Sequence, residues 1–428
     1  MKKIFCLFLS VFTMFMLISC DNENSTNNTQ NGNNTNNTQE EIDIKIVGSY
    51  ENFEALEAEF TKFNEAYPNV RLTYKKLDDY DNTIISVLEG NSKPNIFFST
   101  TKMFEDEKYN SVVNHMEDLS DASLDLDLAC IRDGLINQNE GKKLYLPVFS
   151  RTYGMLVNKS LFKKENIEIP TKWNELVDAC NSLKTKEYKS PIMGYSKDSS
   201  SCLMNTVAYP LFLAELNKNS EALAKAKSFD PSAGEYMRSA LNKVDSLIEL
   251  GTVDLTECDK IADNYNKVIL RFFEGDVPMM VCTADTVSGT KKRESQSEAF
   301  KNNPFEYSFY PIPLTDEGGY FIDSPSIKFS VNKDCDNLEM TNKFMKFLIT
   351  NKELNAMAAN KLLVPPTKVM SFDSLYAPFG QVNEKNIISP EALGINDKLA
   401  LQIRKASFDV GRKNKTIDEA IELYGTYK

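Results

Sequence analysis

Histidine and tryptophan are almost absent from the 428 residues, which contain one of each, His115 and Trp173. A single histidine excludes a multi-histidine metal site and nearly excludes a serine or cysteine nucleophile that depends on histidine. Neither a G-x-x-x-x-G-K-[ST] phosphate loop nor a G-x-G-x-x-G dinucleotide loop occurs. We therefore predict no metal site, no cofactor and no enzymatic activity.

Cysteine never occurs in a C-x-x-C pair. The six cysteines beyond residue 100 are widely and irregularly spaced, which indicates neither a zinc site nor a thioredoxin-like motif. We expect mostly buried free thiols among them, although an exported protein permits a disulfide. They are Cys130, Cys180, Cys202, Cys258, Cys282 and Cys335.

Positive charge is in deficit, and the net charge of −12 argues against nucleic acid or an anionic membrane as the ligand. The one basic cluster, residues 291–293, lies beside glutamates, so we predict a solvated loop or helix face there. Long apolar runs are equally scarce. The run at residues 4–18 is too short to span a bilayer as a stable anchor, and no other run of spanning length follows it.

The apolar run at the start of the chain has the pattern of an export signal, because Lys2 and Lys3 precede it. It ends in Leu-Ile-Ser-Cys at residues 17–20, which resembles the bacterial lipobox. That resemblance implies cleavage after residue 19 and acylation of Cys20 with more than one chain, enough for stable anchoring. An ordinary signal peptide with an accidental cysteine is the alternative.

Residues 20–41 follow as a tether, and positions 21–41 contain no apolar side chain. Such a segment cannot offset the entropy of ordering, so we predict a disordered linker. The expected location is the outer face of the bacterial cell membrane, with a lipid anchor, or the periplasm.

The remaining chain begins with alternating strand and helix patterns. Residues 42–46 and 70–74 alternate between apolar and polar side chains, and residues 95–98 are mostly apolar. Between the first two segments, apolar residues recur every three or four positions over 53–67, as in a helix. Apolar residues at 84, 85, 87 and 88 mark a second helix, which closes at Gly90 before the third segment. This β-α-β-α-β order predicts an α/β fold with a mainly parallel sheet and helices on both faces, and the length favours two such sheets.

Several segments, taken in order, resemble the extracellular solute-binding protein family that includes the maltose-binding protein. They cover nearly the whole body, and their order is more specific than any one of them. The segments are 67–70 (YPNV), 94–98 (PNIFF), 146–148 (LPV), 154–162 (GMLVNKSLF), 169–176 (IPTKWNEL), 273–280 (FEGDVPMM) and 416–420 (TIDEA).

This resemblance implies a two-lobed periplasmic-binding-protein-like fold of type II, with a ligand cleft between the lobes. Lobe 1 is predicted at 42–149 plus 308–350, and lobe 2 at 150–307 plus 351–428. The implied function is capture of a small polar solute, most simply a sugar or oligosaccharide, by hinge closure. The partners would be the permease subunits of an ABC importer, and we expect a monomer that binds no nucleic acid.

The loops after the first and third strands supply the first candidate ligand residues. In the family the first of these loops contacts sugar hydroxyls, which points to Tyr50 for ring stacking and Glu51 for hydroxyl binding. Glu51 has an equal alternative as an acid at a helix N-terminus. Ser99 and Thr101 follow the third strand, where the aromatic and carboxylate residues common in sugar binders are missing.

The predicted crossing between the lobes supplies the next candidates, Arg151 and Tyr153. Arg151 needs either a ligand oxygen or an internal acid, for which Asp285 and Asp323 are the options. Asp285 is also a candidate. The family often has a tryptophan at this position, packed against the sugar ring, and a carboxylate here suits bidentate binding of hydroxyls or an amine. Tyr320 and Asp323 complete the set, on a stretch that fits either a cleft rim or a simple hairpin.

Two other classes of function remain open from the sequence alone. A surface adhesin or structural lipoprotein could use the same fold. A glycoside-acting enzyme is not removed by counting carboxylates, although nothing singles out a pair. Trp173 is predicted to pack at a helix start, so any stacking on a sugar would fall to tyrosine or phenylalanine.

Overall fold

The computed structural model describes residues 40–51, 53–199, 202–262 and 264–428. The predicted signal peptide, Cys20 and the tether up to residue 39 lie outside these residues. Within them, every helix is too short or too polar to cross a bilayer.

The strands are short, and the alternation seen in the sequence matches their burial. In the first strand, for example, Ile44 and Ile46 are fully buried while Lys45 between them is not. The strands are β1 (Ile42–Gly48), β2 (Val70–Lys76), β3 (Ile96–Phe98), β4 (Leu146–Pro147), β5 (Ser150–Arg151), β6 (Tyr153–Asn158), β7 (Ile192–Met193), β8 (Met279–Thr283), β9 (Tyr307–Tyr310), β10 (Phe321–Ile322), β11 (Ser324–Pro325), β12 (Lys328–Val331) and β13 (Ile387–Ile388).

Helices occupy much of the remaining chain. They are α1 (Glu54–Ala66), α2 (Tyr80–Glu89), α3 (Asn110–Asn114), α4 (Lys159–Glu165), α5 (Trp173–Thr185), α6 (Leu203–Lys218), α7 (Ser220–Lys227), α8 (Arg238–Glu249), α9 (Leu255–Cys258), α10 (Tyr265–Phe272), α11 (Ala284–Val287), α12 (Thr290–Glu294), α13 (Glu298–Asn302), α14 (Leu338–Leu348), α15 (Asn351–Lys361), α16 (Asp397–Gly411) and α17 (Ile417–Glu422). Short 3-10 helices cover Thr101–Phe104, Glu107–Tyr109, Ala122–Leu124, Leu128–Cys130, Pro231–Met237, Ser374–Gln381 and Glu384–Asn386.

Helix α1 shows how the periodic pattern becomes packing. Leu56, Phe60 and Phe63 lie on its buried face, and the ring of Tyr67 stacks on Phe63 at 4.6 Å between centroids. The helix ends at Ala66, shortly before Pro68, which disfavours helical geometry in the residue before it.

Two sheets form the centres of the two lobes. The first has the order β2-β1-β3-β12-β4, and the second has the order β7-β8-β6-β9. Throughout, the first lobe means the first sheet with the helices packed on it, and the second lobe means the second sheet with its helices. The predicted α/β, two-lobed fold class is confirmed.

The direction of the strands adds one detail to that prediction. β1 is parallel to β2 and β3, but β12 runs antiparallel to β3 and β4. In the second sheet β6 is antiparallel to both β8 and β9, and the parallel pair there is β7–β8. Both sheets are therefore mainly parallel, as predicted, with one reversed strand each, β12 in the first and β6 in the second. The reversed strand is the one with which the chain enters that sheet from the other lobe.

The return to the first lobe occurs later than predicted near Phe309. β9 pairs with β6 in the second sheet, so residues 308–310 belong to the second lobe. The chain rejoins the first sheet at β12, after β11 has paired with β5 between the lobes. Helix α15 packs on α1, which extends the first lobe beyond residue 350. The other predicted boundaries stay predictions.

The cysteines of the described residues are free thiols, and all but Cys335 are buried. The expectation of mostly buried free thiols is confirmed. Burial raises the pKa of the Cys180 thiol to about 12, which keeps it protonated and unreactive at neutral pH.

Candidate functional site

A cleft of about 1220 Å³ is lined by residues of both lobes. From the first lobe come the loops after β1 and β3, the start of β12 and the end of α15. From the second come Tyr195, Asn264 and the segment that follows β8. This arrangement agrees with the rule that ligands of α/β sheets sit beyond the carboxyl ends of the strands. Hereafter this space is called the central cleft.

A chain of polar contacts crosses the central cleft from one lobe to the other. Arg151 Nη1 lies 3.5 Å from Asp285 Oδ2, and Ser326 Oγ donates to Asp285 Oδ1 at 3.2 Å. The Arg151 and Asp285 side chains are 50% and 43% exposed, so solvent screens their attraction and both keep hydrogen-bonding capacity for a ligand.

Tyr50 stands on an aromatic floor in the cleft. Its ring meets the edges of Phe53 and Phe98, each at 5.9 Å between centroids, and Lys361 Nζ lies 5.2 Å from its centroid. Burial, reinforced by the charge of Asp285, raises the pKa of the Tyr50 hydroxyl, which therefore stays a hydrogen-bond donor.

Gly48, at the end of β1, makes this floor possible. A Cβ at that position would come within 2.6 Å of the Phe98 ring. Any side chain there would push away the ring that supports Tyr50.

The two other predicted residues that reach the cleft differ in their surroundings. Glu51 is 82% exposed and already forms an ion pair with Lys76 on the neighbouring strand. Ser99 is 5% exposed, and within the described chain its hydroxyl oxygen has no hydrogen-bond partner. A buried hydroxyl without a partner is uncommon, so Ser99 is the better candidate for a ligand contact.

Four predicted residues do not line the central cleft. Thr101 accepts a hydrogen bond from Lys328 Nζ at 3.2 Å and lines a smaller pocket instead. Tyr153 packs on Tyr209 with 5.5 Å between ring centroids. Tyr320 is 6% exposed, so most of its surface is removed from any ligand.

Asp323, the fourth of these residues, is held inside the protein. Arg132 donates to it through Nε and Nη2, both at 2.6 Å, and Ser150 Oγ donates as well. The carboxylate is therefore engaged in binding β5 to the segment around Arg132. Of the two internal acids open to Arg151, Asp285 is the one that lies beside it.

The profile of the family described as "Bacterial extracellular solute-binding protein" matches residues 48–354. This chain belongs to that family. Among curated proteins, no sequence is significantly similar to it.

Solved structures share the fold of this solute-binding protein at low sequence identity. Apo RafE from Streptococcus pneumoniae gives a TM-score of 0.67 at 13% identity, covering 90% of this chain and 97% of RafE. MalE from Xanthomonas citri gives a TM-score of 0.67 at 16% identity, covering 89% of this chain and 94% of MalE. The GacH receptor of Streptomyces glaucescens GLA.O gives a TM-score of 0.64 at 18% identity, covering 91% of this chain and 100% of GacH.

Sequence reasoning missed many cleft residues of the solute-binding protein, and the charged ones among them are basic except for Glu54. Lys328 stands between Ile327 and Phe329, and a lysine flanked by apolar residues was the available signal. Lys361 ends α15, a helix that the sequence analysis did not identify. The basic cluster at 291–293 also lines the cleft. The predicted solvated face is present for Lys291 and Lys292, which are exposed on α12, but not for Arg293, which is 8% exposed and bonds to Asn266.

Proposed function

We propose that this solute-binding protein captures a carbohydrate in the central cleft and delivers it to the permease of an ABC importer. Family membership and a cleft lined by both lobes support this proposal. RafE has been solved in complex with raffinose, and GacH in complex with acarbose. The volume of about 1220 Å³ is ample for an oligosaccharide.

The observation that carries the proposal is the exposed pair Arg151–Asp285 at the junction of the lobes. A guanidinium and a carboxylate side by side offer both donors and acceptors to sugar hydroxyls. Because the two lobes contribute to one cleft, a ligand that touches both makes more contacts in a closed form than in an open one. That difference in affinity drives hinge closure.

The proposed site combines these polar groups with ring faces. Arg151, Asp285 and Ser99 supply hydrogen bonds, Tyr50 supplies an aromatic surface, and Glu51 stands at the rim. Micromolar capture corresponds to about −8 kcal/mol, which a few charge-assisted hydrogen bonds and one ring stack can supply after ordering costs. No catalytic role is assigned to any of these residues.

Titration calorimetry with raffinose, maltotriose and acarbose tests this function. We expect saturable binding of at least one carbohydrate, together with a smaller radius of gyration in X-ray scattering when it is bound. Arg238→Ala, which removes an exposed ion pair outside the cleft, is the matched control and should bind normally. Failure of every carbohydrate to bind, or binding without compaction, contradicts the proposal.

We further propose that the protein is exported and acylated on Cys20. The apolar run at 4–18 and the Leu-Ile-Ser-Cys sequence support this placement. Expression in a bacterial host should yield a membrane-associated protein whose N-terminal peptide carries acyl chains in mass spectrometry. Cys20→Ser should release the protein into the soluble fraction, and an unchanged distribution would contradict acylation.

A further inference from the structure

The charge of the central cleft is opposite to that of the whole protein. The chain carries a net charge of −12, whereas the charged residues that line the cleft are six basic and three acidic. The acidic ones are Glu51, Glu54 and Asp285, and the basic ones are Arg151, Lys291, Lys292, Arg293, Lys328 and Lys361.

Ion pairing does not cancel this excess. Asp285 neutralises Arg151, but Glu51 pairs with Lys76, which is not a lining residue. Among the described residues, Lys292, Lys328 and Lys361 form no ion pair, and Glu54 is the one lining acid without such a partner. A positive potential therefore remains in a concave site, where low-dielectric walls concentrate it.

Lys328 is the most unusual of these cations because it is 6% exposed. Buried charges are normally paired, since leaving water without a counter-charge is costly. An ammonium has three donors, and the bond to Thr101 Oγ1 is the one that Lys328 Nζ makes within the described chain. The rings of Tyr145 and Phe104, at 5.0 and 5.7 Å, supply cation–π contacts but no counter-charge.

Lys328 lies where two spaces open to a ligand meet. Lys328 lines the central cleft and also a smaller pocket of about 240 Å³, called the side pocket, which contains Phe104, Tyr145 and Glu391. Burial lowers the pKa of Lys328 to about 8, against the opposing effect of Glu391, so the ammonium still predominates at neutral pH. Arg151, Asp397 and Glu105 are the other charged groups that act on it.

A purely structural role for Lys328 is the alternative, with the rings and the distant Glu391 holding the cation. That role would not explain why Lys361 and Lys292 also face the same cleft without acidic partners. A lysine with a purely structural role would also be expected to have a carboxylate within hydrogen-bonding distance of its Nζ. Among the described residues, none lies at that distance from Lys328 Nζ.

We infer that the central cleft takes a carbohydrate that bears an anionic group, and that Lys328 binds this group. A carboxylate, sulfate or phosphate on the sugar would supply the missing counter-charge. Lys361, above the Tyr50 ring on the same lobe, adds to the positive potential of the cleft. This inference rests on the proposed function and narrows it to one class of carbohydrate.

Calorimetric titrations with matched ligand pairs test the inference. The pairs are digalacturonate with its methyl ester, a sulfated chondroitin disaccharide with its unsulfated form, and maltose 1-phosphate with maltose. We expect at least one anionic member to bind ten times more tightly than its neutral partner. Raising the salt from 50 to 300 mM should weaken that binding several-fold and leave neutral ligands unaffected. The pair that shows the preference identifies the anionic group.

Variants assign the effect to Lys328. Lys328→Met keeps the length of the side chain. It should weaken the binding of the anionic ligand at least tenfold without changing the affinity for its neutral partner. Lys328→Arg should restore part of that affinity. Lys361→Gln, at a partly exposed position, should weaken the anionic ligand several-fold and guards against a folding defect at residue 328. Lys301→Gln, outside the cleft and paired with Glu298, is the control and should change nothing.

Each other outcome counts against the inference. A neutral carbohydrate that binds as tightly as its anionic partner overturns it and leaves the proposed function intact. Absence of binding by every anionic and neutral carbohydrate overturns both. Anionic binding that survives Lys328→Met and Lys361→Gln unchanged removes these lysines from the site and overturns the assignment.

Discussion

Two arginine–aspartate pairs lie on either side of the junction between the lobes, and they differ in almost every physical respect. Arg132 and Asp323 are 10% and 3% exposed and joined by two hydrogen bonds of 2.6 Å. Arg151 and Asp285 are 50% and 43% exposed, and their nearest charged atoms are 3.5 Å apart. The same two residue types therefore build the scaffold in one place and face the ligand in the other.

Saturation of hydrogen bonds explains the difference better than residue type does. Arg132 also donates to the carbonyl oxygens of Pro365 and Thr367, so its guanidinium is bonded on several sides. Arg151 has one loose partner and open solvent around it. A guanidinium that is already saturated cannot bind a sugar, whereas a partly satisfied one can.

The largest expected effect is on the buried pair. Arg132→Ala should lower the free energy of unfolding by roughly 3–5 kcal/mol, because it leaves the buried Asp323 carboxylate without a counter-charge. Denaturant unfolding followed by circular dichroism measures the change. Arg132→Lys keeps the charge but loses the bidentate geometry. Its free energy of unfolding should lie between those of Arg132→Ala and the wild type. A loss below about 1 kcal/mol would show that the pair is not structural.

Removal of the buried cation Lys328, which has no acidic partner, should have the opposite effect on the free energy of unfolding. Lys328→Met should raise the free energy of unfolding by about 1–3 kcal/mol at pH 7, since the lowered pKa of Lys328 marks a charged form that burial disfavours. The folded pKa of about 8 lies below the ordinary value of 10.5. The gain should therefore be full below pH 8 and shrink as the pH rises towards 10.5.

The same unfolding series measured at pH 7 and pH 10 checks that sign. Lys301→Gln, at an exposed lysine, should show no such difference between the two pH values. Destabilisation of Lys328→Met at both pH values would mean that its contacts with Thr101 and the rings outweigh the burial of its charge.

The exposed pair should matter for binding rather than for stability. Arg151→Ala and Asp285→Ala should each weaken carbohydrate binding at least tenfold, which is about 1.4 kcal/mol. Each should change the free energy of unfolding by less than about 1 kcal/mol, since exposed ion pairs contribute little. Calorimetry and denaturant unfolding on the same samples separate the two effects. Unchanged isotherms for both variants would remove them from the site.

The smallest effect concerns a buried cluster between α1 and α15. Glu59 and Glu353 are nearly fully buried and share Lys62, and burial together with the hydrogen bond to Glu353 raises the pKa of Glu59. A raised acid pKa stabilises the folded state below its ordinary value, and that contribution is lost as the pH rises through the folded pKa. Glu59→Gln should remove this pH-dependent loss of stability, which we expect to be about 1 kcal/mol.

Unfolding measured from pH 4 upwards detects the change. Glu57→Gln, at an exposed position on the same helix, should leave the wild-type pH dependence in place. Because carboxylates with a lowered pKa, Glu353 among them, act in the other sense, the test is the difference between wild type and Glu59→Gln. A wild-type advantage that grows as the pH rises would contradict the assigned direction.

The sequence predicted the fold where local patterns decide it, and the site only in part. The alternation in β1 and the periodicity of α1 both appear in the structure because one buried face fixes each element. The direction of β6 and β12 was not predictable in this way, since it depends on where the chain re-enters a sheet. Lys328 and Lys361 were missed for a related reason: distant segments bring them into the cleft.

The placement of β12 between β3 and β4 has a consequence for the order of assembly. Residues 42–147 cannot complete the first sheet by themselves, because the strand that joins its two parts is made some 180 residues after β4. Every strand of the second sheet lies within residues 153–310, so that sheet can be complete before the first one is. A chain truncated ahead of residue 328 would hold one finished sheet and one with a missing centre, leaving the exposed edge of β3 open to aggregation.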